Sequence, residues 1–84
     1  MSNVERTLVA AFMEIVISID LTDDDDIDPD VATALLEPVA ALFQDMPSED
    51  RQYLTGLLLA RAEEETSPAR RATALDLPTA LGLV

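Results

Sequence analysis

The sequence predicts an all-α fold: a compact four-helix domain with a kinked second helix and a short C-terminal turn. Apolar residues recur at the helical spacing in every long segment, and Ser or Asp followed by Pro or by acidic residues marks several helix starts. The β-branched run Ile15–Ile19 could form a strand, but the chain offers no second strand to pair with it. With 84 residues, we expect a single helical domain over 1–84.

The first helix is apolar on almost all sides. Ser2 and Glu5 form a capping box that predicts a helix start at Asn3. One apolar line consists of Val4, Leu8, Ala11, Phe12, Ile15 and Ile19, and a second consists of Val9, Met13, Val16 and Ile17. A surface helix normally needs one apolar stripe, so this helix is either central in the bundle or offers its second line to a partner. We expect the second line to be a homodimer interface, and Glu14 to lie on the thin solvent-facing strip.

The second helix follows an aspartate-rich segment. Seven aspartates lie between positions 20 and 30, and like charges in series favour an extended, solvated loop. Asp28 and Pro29 then predict a helix start. The predicted buried stripe consists of Val31, Leu35, Val39, Leu42 and Met46. The apolar periodicity continues across Pro38, which predicts a kink rather than an end.

Two further helices complete the predicted fold. Ser48 after Pro47 predicts the third cap, and Gly56 with Ala60 predicts a close approach of another backbone. Ser67 and Pro68 predict a short fourth helix that ends near Asp76. The leucines of the terminal segment 77–83 are expected to close the core.

The composition disfavours an enzyme. The chain has no cysteine and no histidine, which removes thiolate chemistry and the side chain best suited to proton transfer near neutrality. An EF-hand register from Asp26 places Val31 where glycine is required, and Pro29 opposes wrapping around an ion. We therefore expect no catalytic residues, no metal site and no cofactor.

The net charge of the chain restricts the classes of molecule that it can bind. The net charge is −12, which disfavours direct binding to nucleic acid or to anionic lipid headgroups. The apolar stretch from Leu8 to Ile19 is interrupted by Glu14 and is too short to span a bilayer, so we expect a cytoplasmic protein without a membrane segment.

Three resemblances follow from size, charge and local sequence. The chain resembles acyl and peptidyl carrier proteins in size, acidity and helix number, but Asp-Ile-Asp-Pro-Asp (26–30) offers no serine for the phosphopantetheine arm that this family carries. It is similar in size and charge to small acidic immunity proteins and antitoxins, which cover the active site of a basic nuclease. With its Asp-Pro-Asp helix start and its Leu-Pro-Thr-Ala-Leu-Gly-Leu ending (77–83), it also resembles short acidic helical proteins of actinobacteria, a resemblance that implies no particular activity.

Two classes of function remain. In the first, the protein is an acidic adaptor or inhibitor of a basic protein partner, and the expected partner-binding residues are Asp23, Asp24, Asp25, Asp26 and Asp30. In the second, it is a structural or homodimeric subunit that associates through the apolar first helix. Salt distinguishes the two classes, since charge-led binding weakens with ionic strength and apolar association persists. The aspartates could also serve solubility alone.

Overall fold

The computed structural model describes residues 2–23 and 25–84 and contains four helices: α1 (Asn3–Leu21), α2 (Pro29–Gln44), α3 (Ser48–Ala62) and α4 (Pro68–Ala80). No strand occurs in these ranges, so the all-α, four-helix prediction is confirmed. Helix α2 continues through Pro38, and the kink there stays a prediction. None of the helices in the described ranges combines the length and the apolar character needed to cross a membrane.

Local capping chemistry sets three of the four helix starts. The Ser2 hydroxyl accepts from the backbone N–H of Glu5 at 3.1 Å, and Asp28 Oδ1 accepts from the N–H of Asp30 at 2.8 Å. Ser67 accepts from the N–H of Arg70 at 3.4 Å. At α3 the prediction is wrong, because Pro47 occupies the cap position and Ser48 is already the first helical residue.

The C-terminal end of α4 is fixed by a Schellman motif. The N–H of Leu83 donates to the carbonyl of Pro78 at 2.9 Å, and the N–H of Gly82 donates to that of Thr79 at 3.1 Å. Gly82 has φ 71°, the left-handed conformation that this motif requires. Helix α4 therefore ends at Ala80 rather than near Asp76, and the turn buries Leu83 as predicted for the terminal leucines.

Helices α1, α3 and α4 enclose the core. Its buried side chains are Met13, Val16, Ile17, Leu58, Ala62, Ala74, Leu77, Leu81 and Leu83. The prediction that Val9, Met13, Val16 and Ile17 form a homodimer interface is therefore wrong: the last three are at most 2% exposed, and Val9 is half-buried against the core. The physical reason is that α1 packs against both α3 and α4, and this apolar line faces them.

Helix α2 lies at the periphery. None of the residues Pro29–Gln44, all of them described, is buried. The predicted stripe is wrong in three of its five positions, because Val31, Leu35 and Leu42 are 53%, 56% and 70% exposed. The side chains that pack inward are Leu36, Phe43 and Met46. Met46 belongs to the predicted stripe, whereas at 100° per residue Leu36 and Phe43 lie about 90° from the centre of that stripe.

Candidate protein-binding surface

Helices α1 and α2 form an antiparallel hairpin. Midway along α1 and near the end of α2, the rings of Phe12 and Phe43 meet edge to face, with centroids 5.5 Å apart and planes at 89°. Near the connecting loop, Ile19 lines the same crevice as Ala32 and Leu36. The residue pairs run in opposite directions along the two helices, which defines the antiparallel arrangement.

Exposed apolar residues directly precede the contact residues in both helices. Ala11 precedes Phe12 in α1, and Leu42 precedes Phe43 in α2; both preceding residues are exposed. Moving back by one residue along an α-helix changes the direction of the side chain by about 100° around the helix axis. Because the two axes run in opposite directions, the same backward step turns both side chains toward the same side of the hairpin.

Exposed apolar residues lie on this shared side in two rows, which we call the hairpin face. Because Phe12 lies opposite Phe43 and Ile19 lies near Leu36, the two rows are offset along the hairpin and overlap only near Ile15 and Leu42. Its residues follow a four-three-four spacing on α1 and lie on the corresponding side of α2. The hairpin face consists of Val4, Leu8, Ala11 and Ile15 from α1 and Val31, Leu35 and Leu42 from α2. Val4, Leu8 and Ile15 are 68%, 64% and 61% exposed, so apolar side chains on both helices remain largely in contact with water. Exposed apolar patches are typical of interaction sites.

The aspartate loop, residues 22–28, joins the two helices at one end of the hairpin. The backbone N–H groups of Asp26 and Ile27 donate to the carbonyl of Asp23 at 2.9 and 3.0 Å. The chain therefore makes a turn here rather than the extended segment that the sequence predicted, because these backbone hydrogen bonds offset the repulsion between neighbouring carboxylates.

The predicted partner-binding aspartates lie together at this end. Asp23, Asp25 and Asp26 are exposed in the loop, and Asp30 is exposed in the first turn of α2. Asp24 lies outside the described residues. The aspartate loop thus adjoins the α2 row of the hairpin face at Val31, and sequence analysis identified only the acidic part.

Arginine side chains are engaged elsewhere. Arg70 in α4 contacts Glu14 of α1 at 2.5 Å and Glu65 at 3.2 Å. The hydrogen bond with Glu65 is the main reason that the pKa of Arg70 is raised above its ordinary value. Glu14 is exposed on the solvent strip, where the sequence placed it, and is held by this pair.

Two further ion pairs lie at the end of α3 and the start of α4. Arg61 contacts Glu64 at 2.8 Å, and Arg71 contacts Glu63. No ion pair within the described ranges involves Asp23, Asp25, Asp26 or Asp30. The charge of the aspartate loop is therefore not neutralised by the arginines that the structure describes.

A cavity of about 230 Å³ lies between α1, α2 and α4. Its walls include Val16, Leu36 and Leu77, and Asp20 and Glu37 also border it. Asp20 accepts from the hydroxyl of Thr73 at 3.2 Å, which links α1 to α4 at this point. The cavity is smaller than the roughly 300–1,000 Å³ usual for small-molecule sites.

Carboxylates do not converge into a metal site in the described part of the chain. Asp30 and Glu37, which would be ligands in an EF-hand register, both belong to α2. A helical backbone holds successive side chains on diverging directions and does not wrap around an ion.

Sequence reasoning missed the hairpin face because it assigned Val31, Leu35 and Leu42 to the core. A signal was present in the spacing. Positions 4, 8, 11 and 15 in α1 and positions 31, 35, 38 and 42 in α2 follow the same four-three-four rule.

Comparison of the chain with protein-family models, with curated proteins and with solved structures gives no significant match.

Proposed function

We propose that the protein is a non-catalytic, cytoplasmic interaction module that binds a basic protein partner and acts as its adaptor or inhibitor. The observation that supports this proposal is the exposed aspartate loop. Its carboxylates have no arginine counterpart in the described structure, and they adjoin an exposed apolar surface. Complementary charge accelerates encounter, and apolar contact then holds the complex.

The test is kinetic and needs a purified partner. The partner is first identified by crosslinking and affinity purification of the full chain at low ionic strength, and binding is then measured with both proteins pure. Changing Asp23, Asp24, Asp25 and Asp26 together to Asn removes the charge of the loop and keeps the Asp28 cap. We expect the association rate to fall by about tenfold or more at low salt, with little change in the dissociation rate.

Salt provides the internal control. The difference between the parent and the four-Asn variant should shrink as ionic strength rises, because screening removes the steering that the variant lacks. A variant with the same association rate at every salt concentration would show that the aspartates serve solubility only. A partner without an excess of lysine and arginine would contradict the proposal itself.

The second candidate function is a homodimeric subunit. It is favoured by the exposed seam of Val4, Leu8 and Ile15 on the first helix, although the residues differ from those predicted. Sedimentation equilibrium at high micromolar concentration distinguishes the candidates. A dimer that persists in high salt would favour the second, and a monomer would favour the first.

A further inference from the structure

A groove runs between α2 and α4 over the surface of α1, and we call it the α2–α4 groove. It is the cavity of about 230 Å³ that these three helices enclose. The buried side chains Val16, Leu77 and Leu81 form its floor. Small side chains leave space between the two flanking helices, where Ala40 of α2 and Ala80 of α4 both line the groove. The groove therefore reaches from the surface down to the apolar core.

Three carboxylates stand at the rim of the α2–α4 groove, one from each helix. Asp20 of α1, Glu37 of α2 and Asp76 of α4 line the groove and are exposed. The hydroxyl of Thr73 donates to Asp20 at 3.2 Å, which holds this carboxylate between α1 and α4. Among the residues that the structure describes, none of the three carboxylates belongs to an ion pair. An apolar groove with carboxylates at its rim is complementary to a cation that is carried on an apolar stem.

The α2–α4 groove continues toward the aspartate loop. Asp20 and Leu36 line the groove and also the crevice that Ile27 of the loop borders. At the opposite end, the side chain of Gln44 lies against Gly82 and joins the end of α2 to the turn after α4. A partner drawn to the aspartate loop is therefore placed at the end of the groove.

The size of the groove and the arrangement of its carboxylates favour one arginine side chain as the occupant. The volume is below that of a typical small-molecule site, which suits a single long side chain instead. Asp20, Glu37 and Asp76 approach the groove from three different helices. A planar guanidinium has N–H donors on several edges and can contact more than one carboxylate at once, whereas the ammonium of lysine is a compact point charge.

We propose that the α2–α4 groove binds an arginine side chain of the basic partner protein. The inference rests on the proposed function, because it names the side chain of that partner that is recognised. The stem of the arginine packs against Leu36 and Leu77, and its guanidinium lies at the rim among the three carboxylates. Arginines that fill a pocket are frequent anchors of protein interfaces. The groove therefore sets the lifetime of the complex, and the aspartate loop accelerates encounter.

The first test uses the full chain, four small probes and NMR. N-acetyl-arginine methylamide carries both the stem and the charge. The citrulline counterpart has the stem without the charge, guanidinium chloride has the charge without the stem, and the lysine counterpart carries an ammonium instead. We expect saturable shifts of the amides of Thr33, Glu37 and Asp76 with the arginine probe, at a dissociation constant of about 1 mM. The lysine probe should bind several times more weakly, and the other two should not saturate.

A first pair of variants tests the space in the groove. Ala40→Leu places a larger side chain in the groove and keeps every carboxylate, so affinity for the arginine probe should fall by about tenfold or more. Ala41→Leu is the matched control, because Ala41 is exposed on the same helix and does not line the groove.

A second pair of variants tests the charge. Glu37→Gln combined with Asp76→Asn should also weaken the arginine probe by about tenfold or more. Glu49→Gln combined with Asp50→Asn removes the same charge at the start of α3 and should leave affinity unchanged. Circular dichroism checks that each variant remains helical. If Ala40→Leu does not fold, the charge variants decide the test.

The purified partner separates this inference from the proposed function. In that complex, Ala40→Leu should raise the dissociation rate by about tenfold, whereas the four-Asn variant lowers the association rate. If the four-Asn variant has its expected effect and Ala40→Leu has none, the arginine inference is wrong and the proposed function remains. If the arginine probe binds as expected and the partner has no excess of lysine and arginine, the proposed function is wrong and the probe alone supports the groove as an arginine site.

The probes and the oligomeric state give the remaining outcomes. Equal binding of the arginine and citrulline probes would show apolar contact alone, and equal saturation by guanidinium would show charge alone. Either result would overturn the inference, and a lysine probe that binds as tightly as the arginine probe would overturn the choice of arginine. A parent dimer that Ala40→Leu converts to a monomer would assign the groove to a second copy of the chain and would also overturn the inference.

Discussion

The two glycines of the chain have opposite roles. The sequence predicted a close backbone approach at Gly56, and this is wrong: no neighbouring segment among the described residues lies within 4 Å of a Cβ placed there. At Gly82, φ is 71° and an added Cβ would overlap the side-chain amide of Gln44. One glycine weakens an exposed helix without a packing reason, and the other is required by the helix end.

Substitution of the two glycines by alanine should therefore change stability in opposite directions. Gly56→Ala should stabilise the protein by about 0.5–1 kcal/mol, because alanine has less backbone entropy to lose in a helix. Gly82→Ala should destabilise it by about 1–2 kcal/mol from the left-handed conformation alone. Urea unfolding followed by circular dichroism measures both, and changes of the same sign would contradict this assignment.

Tyr53 reports on the contact between α3 and the start of α1. Its hydroxyl donates to Glu5 Oε2 at 3.3 Å, and the negative charge of Glu5 is the main reason that the pKa of Tyr53 is raised. A raised pKa means that the folded state favours the neutral phenol. The contact therefore stabilises the folded state below the ordinary tyrosine pKa of about 10. This stabilisation is lost as pH rises through the pKa that Tyr53 has in the folded protein.

Glu5→Gln should lower the pKa of Tyr53 toward its ordinary value. The substitution removes the charge and keeps a residue that can complete the capping box with Ser2. Tyr53 is the only tyrosine and the chain has no tryptophan, so phenolate absorbance measures this titration directly. Glu14→Gln is the control, because Glu14 pairs with Arg70 and should leave the Tyr53 titration unchanged.

At the scale of the helix, α2 is the least anchored element. It has no buried residue, whereas α1, α3 and α4 each contribute at least two to the core. Its attachment depends on half-buried side chains, chiefly Leu36 and Phe43 within the helix and Met46 just after it. Elements with few buried contacts open at lower free energy than the whole domain unfolds.

Amide hydrogen exchange should therefore be faster in α2 than in the other three helices. Phe43→Ala should raise exchange across α2 and destabilise the protein by roughly 1–3 kcal/mol, less than a fully buried phenylalanine because the ring is only half-buried. Leu42→Ala is the matched control: at 70% exposure it should change stability by about 0.5 kcal/mol or less. Equal protection of all four helices would contradict a peripheral α2.

At the scale of the whole molecule, shape and charge act together. The chain extends over 37 × 30 × 21 Å and has a radius of gyration of 12.8 Å, against about 12 Å for an average compact chain of this length. A flattened molecule of this size has little interior, so some of its many apolar residues remain at the surface. The net charge of −12 keeps such a molecule dispersed and also destabilises it by self-repulsion.

Added sodium chloride should therefore raise the melting temperature at neutral pH, because screening weakens repulsion among the carboxylates. The variant with Asn at positions 23–26 carries four fewer negative charges than the parent and should show a smaller salt effect. Differential scanning fluorimetry across a salt series measures both proteins. A parent whose melting temperature falls with salt would indicate that the ion pairs of Arg70 and its neighbours outweigh the repulsion.

The sequence alone determined the number of helices and three of the four helix starts, because each of those starts depends on chemistry within a few residues. Ser2, Asp28 and Ser67 cap the helices that their own following residues form, and no distant contact is needed. Only the tertiary structure decided which faces are buried. Helix α1 is apolar on nearly all sides and α2 has two apolar sides, so each sequence is compatible with more than one orientation. Helices α3 and α4 pack against α1 and fix its orientation. Met13, Val16 and Ile17 are thereby buried, and Leu8 and Ile15 remain exposed to solvent.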